Sequence, residues 1–71
     1  MEDYGAWADE YLHNAELTQQ KIDEYKAKRK AARGNPALLV FYSRKIETLT
    51  DMYYDCMHCA NKLRRKANSQ H

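Results

Sequence analysis

The tripeptide Gly34-Asn35-Pro36 lies at the middle of this 71-residue chain and decides how the rest of it folds. Glycine adopts the left-handed conformation that often ends a helix, asparagine is a favoured N-cap, and proline fits the first helical position. The three residues are therefore a helix stop followed at once by a helix start. Pro36 is the one proline, and the other glycine, Gly5, lies near the N-terminus. The sequence predicts a helix, a tight turn and a second helix.

Apolar residues on both sides of the turn recur at alternating spacings of three and four, the pattern of helices that pack along one seam. Before the turn these residues are Tyr4, Ala8, Tyr11, Ala15, Thr18, Ile22 and Tyr25. After the turn they are Leu39, Tyr42, Ile46, Leu49, Tyr53, Cys56, Ala60 and Leu63. We predict helices over about 3–33 and 36–66, with Asp3 capping the first helix and a frayed tail over 67–71.

A turn this short joins antiparallel neighbours, so residues whose numbers sum to about 69 should face each other. Ile22 then lies near Ile46. Residues 1–20 carry five acids and neither Lys nor Arg, and this alignment sets them beside a basic cluster at the other end of the chain. That cluster is Lys62, Arg64, Arg65 and Lys66. We predict an all-α antiparallel two-helix hairpin that forms a single domain over 1–71.

A hairpin of this size has little core of its own, since a small domain rarely reaches more than ~3–5 kcal/mol of stability without a partner or a staple. The apolar run Ala37–Tyr42 also goes all the way round its helix, which is more than one facing helix can cover. We therefore expect a homodimer that forms a four-helix bundle. The residues expected at a partner interface are Trp7, Leu38, Val40, Phe41 and Tyr54. Alternatively, the aliphatic stems of nearby basic residues cover the apolar run.

A basic cluster directly precedes the turn and allows a second functional hypothesis. Its members are Lys26, Lys28, Arg29, Lys30 and Arg33. Such a cluster can contact the phosphates of nucleic acid, which dominate the affinity of nucleic-acid-binding proteins. It can equally be a solvated helix end that complements the helix dipole. No groove-reading motif accompanies the cluster, so a nucleic-acid-associated accessory protein is the alternative and not the favoured interpretation.

The segment Cys56-Met57-His58-Cys59 provides a third hypothesis, a metal site, because thiolates three residues apart share one side of a helix. His13 lies opposite Cys56 in the proposed alignment. A structural zinc site uses four ligands, however, and the chain contains a single C-x-x-C. Cys56 also falls on the seam, where cysteine packs as a small apolar residue. We expect no cofactor and no metal, with His13, Cys56, His58 and Cys59 as the weak candidates.

Several classes of protein are disfavoured by composition. No apolar run approaches the ~20 residues of a membrane-spanning helix, and the acidic start Met1–Tyr4 lacks the features of a signal peptide. We therefore expect a cytoplasmic protein with reduced thiols. The chain has no nucleophile beside an ordered base, no paired carboxylates in a cleft and no glycine-rich phosphate loop, which argues against an enzyme.

Two stretches carry a resemblance, Trp7-x3-Tyr11-Leu12-x-Asn14-Ala15-Glu16 and Ile46-x2-Leu49-x2-Met52-Tyr53-x-Asp55-Cys56. Together they resemble small helical proteins encoded in bacterial genomes and in mobile elements, including phages. The resemblance covers most of the chain and implies an accessory or regulatory role without catalytic residues. We expect a non-enzymatic protein–protein interaction module, such as a small adaptor, regulator or inhibitor, that associates with itself.

Overall fold

The computed structural model describes residues 3–69 and shows two long helices. Helix α1 spans Tyr4–Ala31 and helix α2 spans Pro36–Ser69. The helices pack against each other antiparallel over their whole length. Near the chain ends Lys66 Nζ lies 5.6 Å from the centre of the Tyr4 ring, and near the turn the Tyr25 and Tyr42 rings are 5.9 Å apart. The prediction of an all-α hairpin is confirmed.

The start of α1 is fixed by Asp3, as the sequence predicts. The Ala6 backbone N–H donates to Asp3 Oδ1 at 3.0 Å, and the Trp7 N–H donates to the Asp3 carbonyl at 3.1 Å. The side chain thus accepts from one of the N–H groups that the first turn of a helix leaves without a partner. Asp3 is the cap and not a helical residue, so α1 begins at Tyr4.

The turn has the conformation that its three residues favour. The Asn35 N–H donates to the Ala32 carbonyl at 3.0 Å, and Gly34 in between has a φ of +88°. A positive φ at the third position of a four-residue turn is the reason that glycine is preferred there. Ala32 shares its N–H between the carbonyls of Lys28 and Arg29, which ends α1 two residues before the predicted limit.

Asn35 caps the second helix. The Leu38 N–H donates to Asn35 Oδ1 at 3.2 Å, and Pro36 occupies the first helical position, where a missing N–H costs nothing. At its other end α2 continues to Ser69, whose hydroxyl donates to the Lys66 carbonyl. The helix therefore extends three residues past the predicted limit at 66, because Ala67 continues the seam and is half-buried. Residues 70 and 71 of the predicted frayed tail lie outside the described residues.

The buried side chains between the helices are small. They are Ala8, Ala15, Thr18 and Ile22 of α1 and Ile46 and Ala60 of α2. All six lie on the predicted seam, and the other seam residues are half-buried, with the exception of the exposed Tyr11. Thr18 satisfies its hydroxyl by donating to the Asn14 carbonyl at 2.8 Å. The predicted seam is confirmed. Most of its buried side chains are alanine or isoleucine, which lets the two helix backbones approach each other.

Candidate functional site

A groove opens between the helices near the chain ends. It has a volume of about 460 Å³ and lies between the first half of α1 and the second half of α2. Its lining residues are Trp7, Glu10, Tyr11, Asn14, Cys59, Lys62, Leu63 and Lys66. Trp7 and Tyr11, which line the groove, are 47% and 39% exposed, whereas the neighbouring seam residues Ala8 and Ala60 are buried.

A second groove, of about 330 Å³, opens between the helices nearer the turn. Its lining residues are Lys21, Glu24, Tyr25, Lys28, Lys45, Thr48, Leu49 and Met52. Tyr25 and Leu49 are half-buried seam residues that form its floor, whereas its walls are long and mostly charged side chains.

Both grooves lie on the same side of the hairpin. Residues seven apart in a helix share one side to within about 20°. Four residues of α1 that line the grooves follow this spacing: Trp7, Asn14, Lys21 and Lys28. Four residues of α2 do so as well: Lys45, Met52, Cys59 and Lys66. We call the long side formed by these eight residues, together with the other residues that line the two grooves, the groove face.

Large apolar side chains are exposed on and beside the groove face. Trp7 is 47% exposed and Met52 is 49% exposed. Leu38 lies seven residues before Lys45 and extends the same side of α2 toward the turn. Leu17 is 43% exposed and lies seven residues from both Glu10 and Glu24, at the edge of this face. The groove face therefore carries apolar surface from one end of the hairpin to the other, with an exposed pair, Leu17 and Met52, at its middle.

Charged residues flank this apolar surface in an ordered way. Near the chain ends Glu10 of α1 lines the same groove as Lys62 of α2. Near the turn Glu24 of α1 lines the same groove as Lys45 of α2. Both acids lie on α1, and the other charged residues that line the grooves are lysines: Lys21 and Lys28 of α1 and Lys45, Lys62 and Lys66 of α2.

The five residues predicted at a partner interface are all exposed, but they do not form one surface. Trp7 lines the groove, and Leu38 lies on the same side at the other end of the hairpin. Phe41 lies near the groove face, with Lys45 Nζ 5.6 Å from the centre of its ring. Val40 and Tyr54 are fourteen residues apart on a different side of α2, and neither lines either groove.

Three exposed apolar residues were absent from the predicted interface: Tyr11, Leu17 and Met52. A signal for Met52 was present in the sequence, since Met52 and Cys59 flank the seam at a spacing of seven. Tyr11 occupies a seam position and lines the groove, so its exposure follows from the opening of the groove between the helices. Leu17 widens the apolar stripe of α1 in the sequence, and its spacing of seven from Glu10 and Glu24 relates it to the groove face once the grooves are known.

The basic cluster before the turn is mostly exposed. Lys26, Lys28, Lys30 and Arg33 are exposed, and Arg29 is half-buried. Lys28 Nζ lies 5.1 Å from the centre of the Tyr25 ring, a distance typical of a cation–π contact. Of the five residues, Lys28 is the one that lines a groove; the others leave the groove face free.

The candidate metal ligands are not brought together. Cys56 lies half-buried on the seam and Cys59 lines the groove, whereas His13 and His58 are exposed. Both thiols are free. Among residues 3–69, no three His, Cys, Asp or Glu side chains converge in the manner of metal ligands. The hypothesis of a Cys/His site therefore gains no geometric support from the folded chain.

A search of protein-family models, of curated proteins and of solved structures finds no match to this chain. The resemblance to small bacterial and phage proteins therefore stays a prediction. Within the described part of the chain, neither helix has an apolar stretch long enough to cross a membrane.

Proposed function

We propose that this chain is a non-enzymatic helical module that binds proteins and associates with itself. The observation that carries the proposal is the distribution of apolar side chains. Within residues 3–69 no large side chain is fully buried, while eight large apolar residues are exposed. Burying apolar surface is the main favourable contribution to folding and association, at roughly 25 cal/mol per Å². A second chain would bury the surface that this hairpin leaves exposed.

The spacing of the seam residues along each helix supports a four-helix bundle as the assembled form. The seam alternates threes and fours along both helices, which is the pattern that packs side chains of one helix into spaces on another. Two hairpins that meet side by side give four helices around one enlarged core. We propose that this assembly acts in the cytoplasm as a small adaptor, regulator or inhibitor of another protein, consistent with an accessory role in a bacterium or a phage.

The self-association is tested by sedimentation of the purified chain from micromolar to submillimolar concentration. We expect the mass of a dimer, and a melting temperature that rises with concentration, because association stabilises the folded chain by mass action. A monomer with a melting temperature independent of concentration would overturn the proposal. Pull-down with the intact dimer, followed by sequencing of the retained protein, then identifies the partner.

Binding of nucleic acid by the turn end is the second candidate. The exposed Lys26, Lys30 and Arg33 favour it, since they are free to meet phosphate groups. Duplex DNA binding is measured at low and at moderate salt for the native chain and for Lys26→Ala/Lys30→Ala. The matched control is Arg64→Ala/Arg65→Ala, which removes the same charge near the chain ends. Salt-dependent binding that only the first pair weakens supports this function, and binding that is absent at low salt excludes it.

A further inference from the structure

We propose that a second copy of this chain covers the groove face, with the two-fold axis parallel to the long axis of the hairpin. Both turns then lie at the same end of the dimer, and α1 of each copy lies over α2 of the other. This inference rests on the proposed self-association and adds to it the face and the orientation. It follows from the area, the apolar residues and the charges of the groove face.

The area of the groove face suits a dimer of this kind. The hairpin measures 56 × 14 × 14 Å, so that one long side projects about 800 Å². A standard protein–protein interface buries about 800 Å² on each partner. A second copy matches this face in length, whereas a short peptide or a small ligand would leave most of it exposed.

The apolar residues at the middle of the groove face can contact each other across the interface between two copies. In the register predicted from the short turn, where the numbers of facing residues sum to about 69, Leu17 of α1 and Met52 of α2 lie at nearly the same height along the hairpin. With the axis along the hairpin, Leu17 of one copy lies over Met52 of the other, and the same pair forms a second time by symmetry. Trp7 likewise lies over the aliphatic part of Lys62 and Leu63 of the second copy.

The charges select between the two ways in which two copies can face each other. Both acids that line the grooves lie on α1, whereas α2 contributes lysines and no acid. With the axis along the hairpin, Glu10 and Glu24 therefore lie over the lysine-bearing helix α2 of the second copy. With the axis across the hairpin, one copy is reversed, so that Glu10 lies over Glu24 of the second copy. Opposite charges are replaced by like charges. Each exposed pair is weak, but complementary charges fix the register and orientation of an interface.

The basic cluster before the turn opposes this orientation only weakly. Bringing both turns to one end also brings the two clusters to one end. Of the five residues in each cluster, however, Lys28 is the one that lines a groove. Exposed charges farther apart than ~8 Å are largely screened at physiological salt. The charges at the interface itself therefore decide the orientation.

Disulfide trapping with two separate variants tests the face and the orientation. Both variants carry Cys56→Ala and Cys59→Ala; one adds Leu17→Cys and the other adds Met52→Cys. They are mixed, allowed to exchange and oxidised, with a tag on one of them to separate the products by size. We expect a mixed disulfide between the two variants and little product from either alone. Tyr54→Cys in the same background, on another side of α2, gives the level of random collision.

Each other outcome overturns a stated part of the proposal. Disulfides formed by Leu17→Cys alone or by Met52→Cys alone would overturn the orientation. Products no stronger than those of Tyr54→Cys, from protein that still sediments as a dimer, would overturn the groove face and leave the self-association intact. A monomer would overturn both the inference and the proposed function.

A second test uses the unmodified cysteines and does not depend on the cysteine-free background. Met52→Lys places a charge at the middle of the groove face, and we expect it to weaken dimerisation more than tenfold. Asn61→Lys adds the same charge at an exposed position of α2 that lines neither groove, and we expect sedimentation like that of the native chain. Equal effects of the two substitutions would overturn the groove face as the interface.

Discussion

The seam between the helices and the groove face beside it differ in the size and the exposure of their apolar side chains. The seam buries alanines together with Thr18, Ile22 and Ile46, and these let the two helices approach closely. The groove face carries larger apolar side chains, such as Trp7 and Met52, which stay about half exposed. The usual arrangement, in which the largest apolar residues are the most buried, is reversed here.

This difference separates folding of the hairpin from its assembly. The seam residues fix how the two helices pair, but the alanines among them bury less apolar area than larger side chains would. The larger residues could have filled the seam, yet they lie where one hairpin leaves them exposed. Substitutions in the seam should therefore act on the hairpin itself, and substitutions on the groove face should act on the association of two hairpins.

The largest effect is expected for Ile22→Ala in the seam. Ile22 is 3% exposed, and removal of a buried isoleucine side chain costs about 2–5 kcal/mol. Urea unfolding followed by circular dichroism measures the loss at a low and at a high protein concentration. We expect Ile22→Ala to destabilise the chain at both.

Leu17→Ala is the matched control, because it removes the same number of carbon atoms from an exposed position. We expect its effect to be small in dilute solution and to grow with concentration, since it acts on association. Equal losses from Ile22→Ala and Leu17→Ala at both concentrations would contradict the division between seam and groove face.

The seam and the turn could be predicted from the sequence because both are set by local chemistry. Glycine and asparagine are among the few residue types that suit positions 34 and 35, where one helix ends and the next begins. The spacing of apolar residues fixes which side of each helix is buried. The caps at Asp3 and Asn35 follow from the same rules. The sequence does not indicate how much of the large side chains beside the seam stays exposed when the seam residues are small.

The candidate interface was predicted only in part for the same reason. Trp7 and Leu38 lie on or beside the groove face, but Val40 and Tyr54 lie on another side of α2. The run Ala37–Tyr42 surrounds its helix, so its sequence does not indicate which of its sides belongs to a larger surface. That assignment needs the side of the hairpin on which the grooves between the helices open, which the packed structure provides.

A smaller effect is expected for Trp7→Ala, which is compared with a second exposed aromatic residue on another side of the hairpin. Large aromatic side chains are frequent hot spots of protein interfaces, worth about 2 kcal/mol or more. Sedimentation should show the dimer weakened more than tenfold, with unchanged helix content. Tyr54→Ala removes an even more exposed ring, at 65%, from another side of α2. We expect no change in the dimer from Tyr54→Ala, and a comparable weakening by both would show that the two sides are equivalent.

Gly34→Ala tests whether the turn only orients the helices. A Cβ at Gly34 meets no atom within 4 Å, so its cost comes from the backbone conformation, with its φ of +88°. Forcing alanine into the left-handed region costs about 1–2 kcal/mol. Thermal unfolding should show this loss with the dimer affinity retained. Gly5→Ala is the contrast, because Gly5 is helical and alanine is the better helix former. Its Cβ would lie 3.3 Å from the cap atom Asp3 Oδ1, the end of a side chain that can shift by a few tenths of an ångström. If both substitutions destabilised the chain equally, strain at Gly34 would not be the cause.

The smallest effect is expected for Asn35→Ala, which removes the cap of α2. The Leu38 N–H loses its acceptor Asn35 Oδ1, at a cost of about 1 kcal/mol. Asn35→Asp keeps an acceptor and should retain most of the stability in the same urea experiment. The cap lies at the turn and touches neither the seam nor the groove face, so its loss should be the same at low and at high concentration. A loss that grew with concentration would mean that the end of the hairpin, and not only its long side, takes part in assembly.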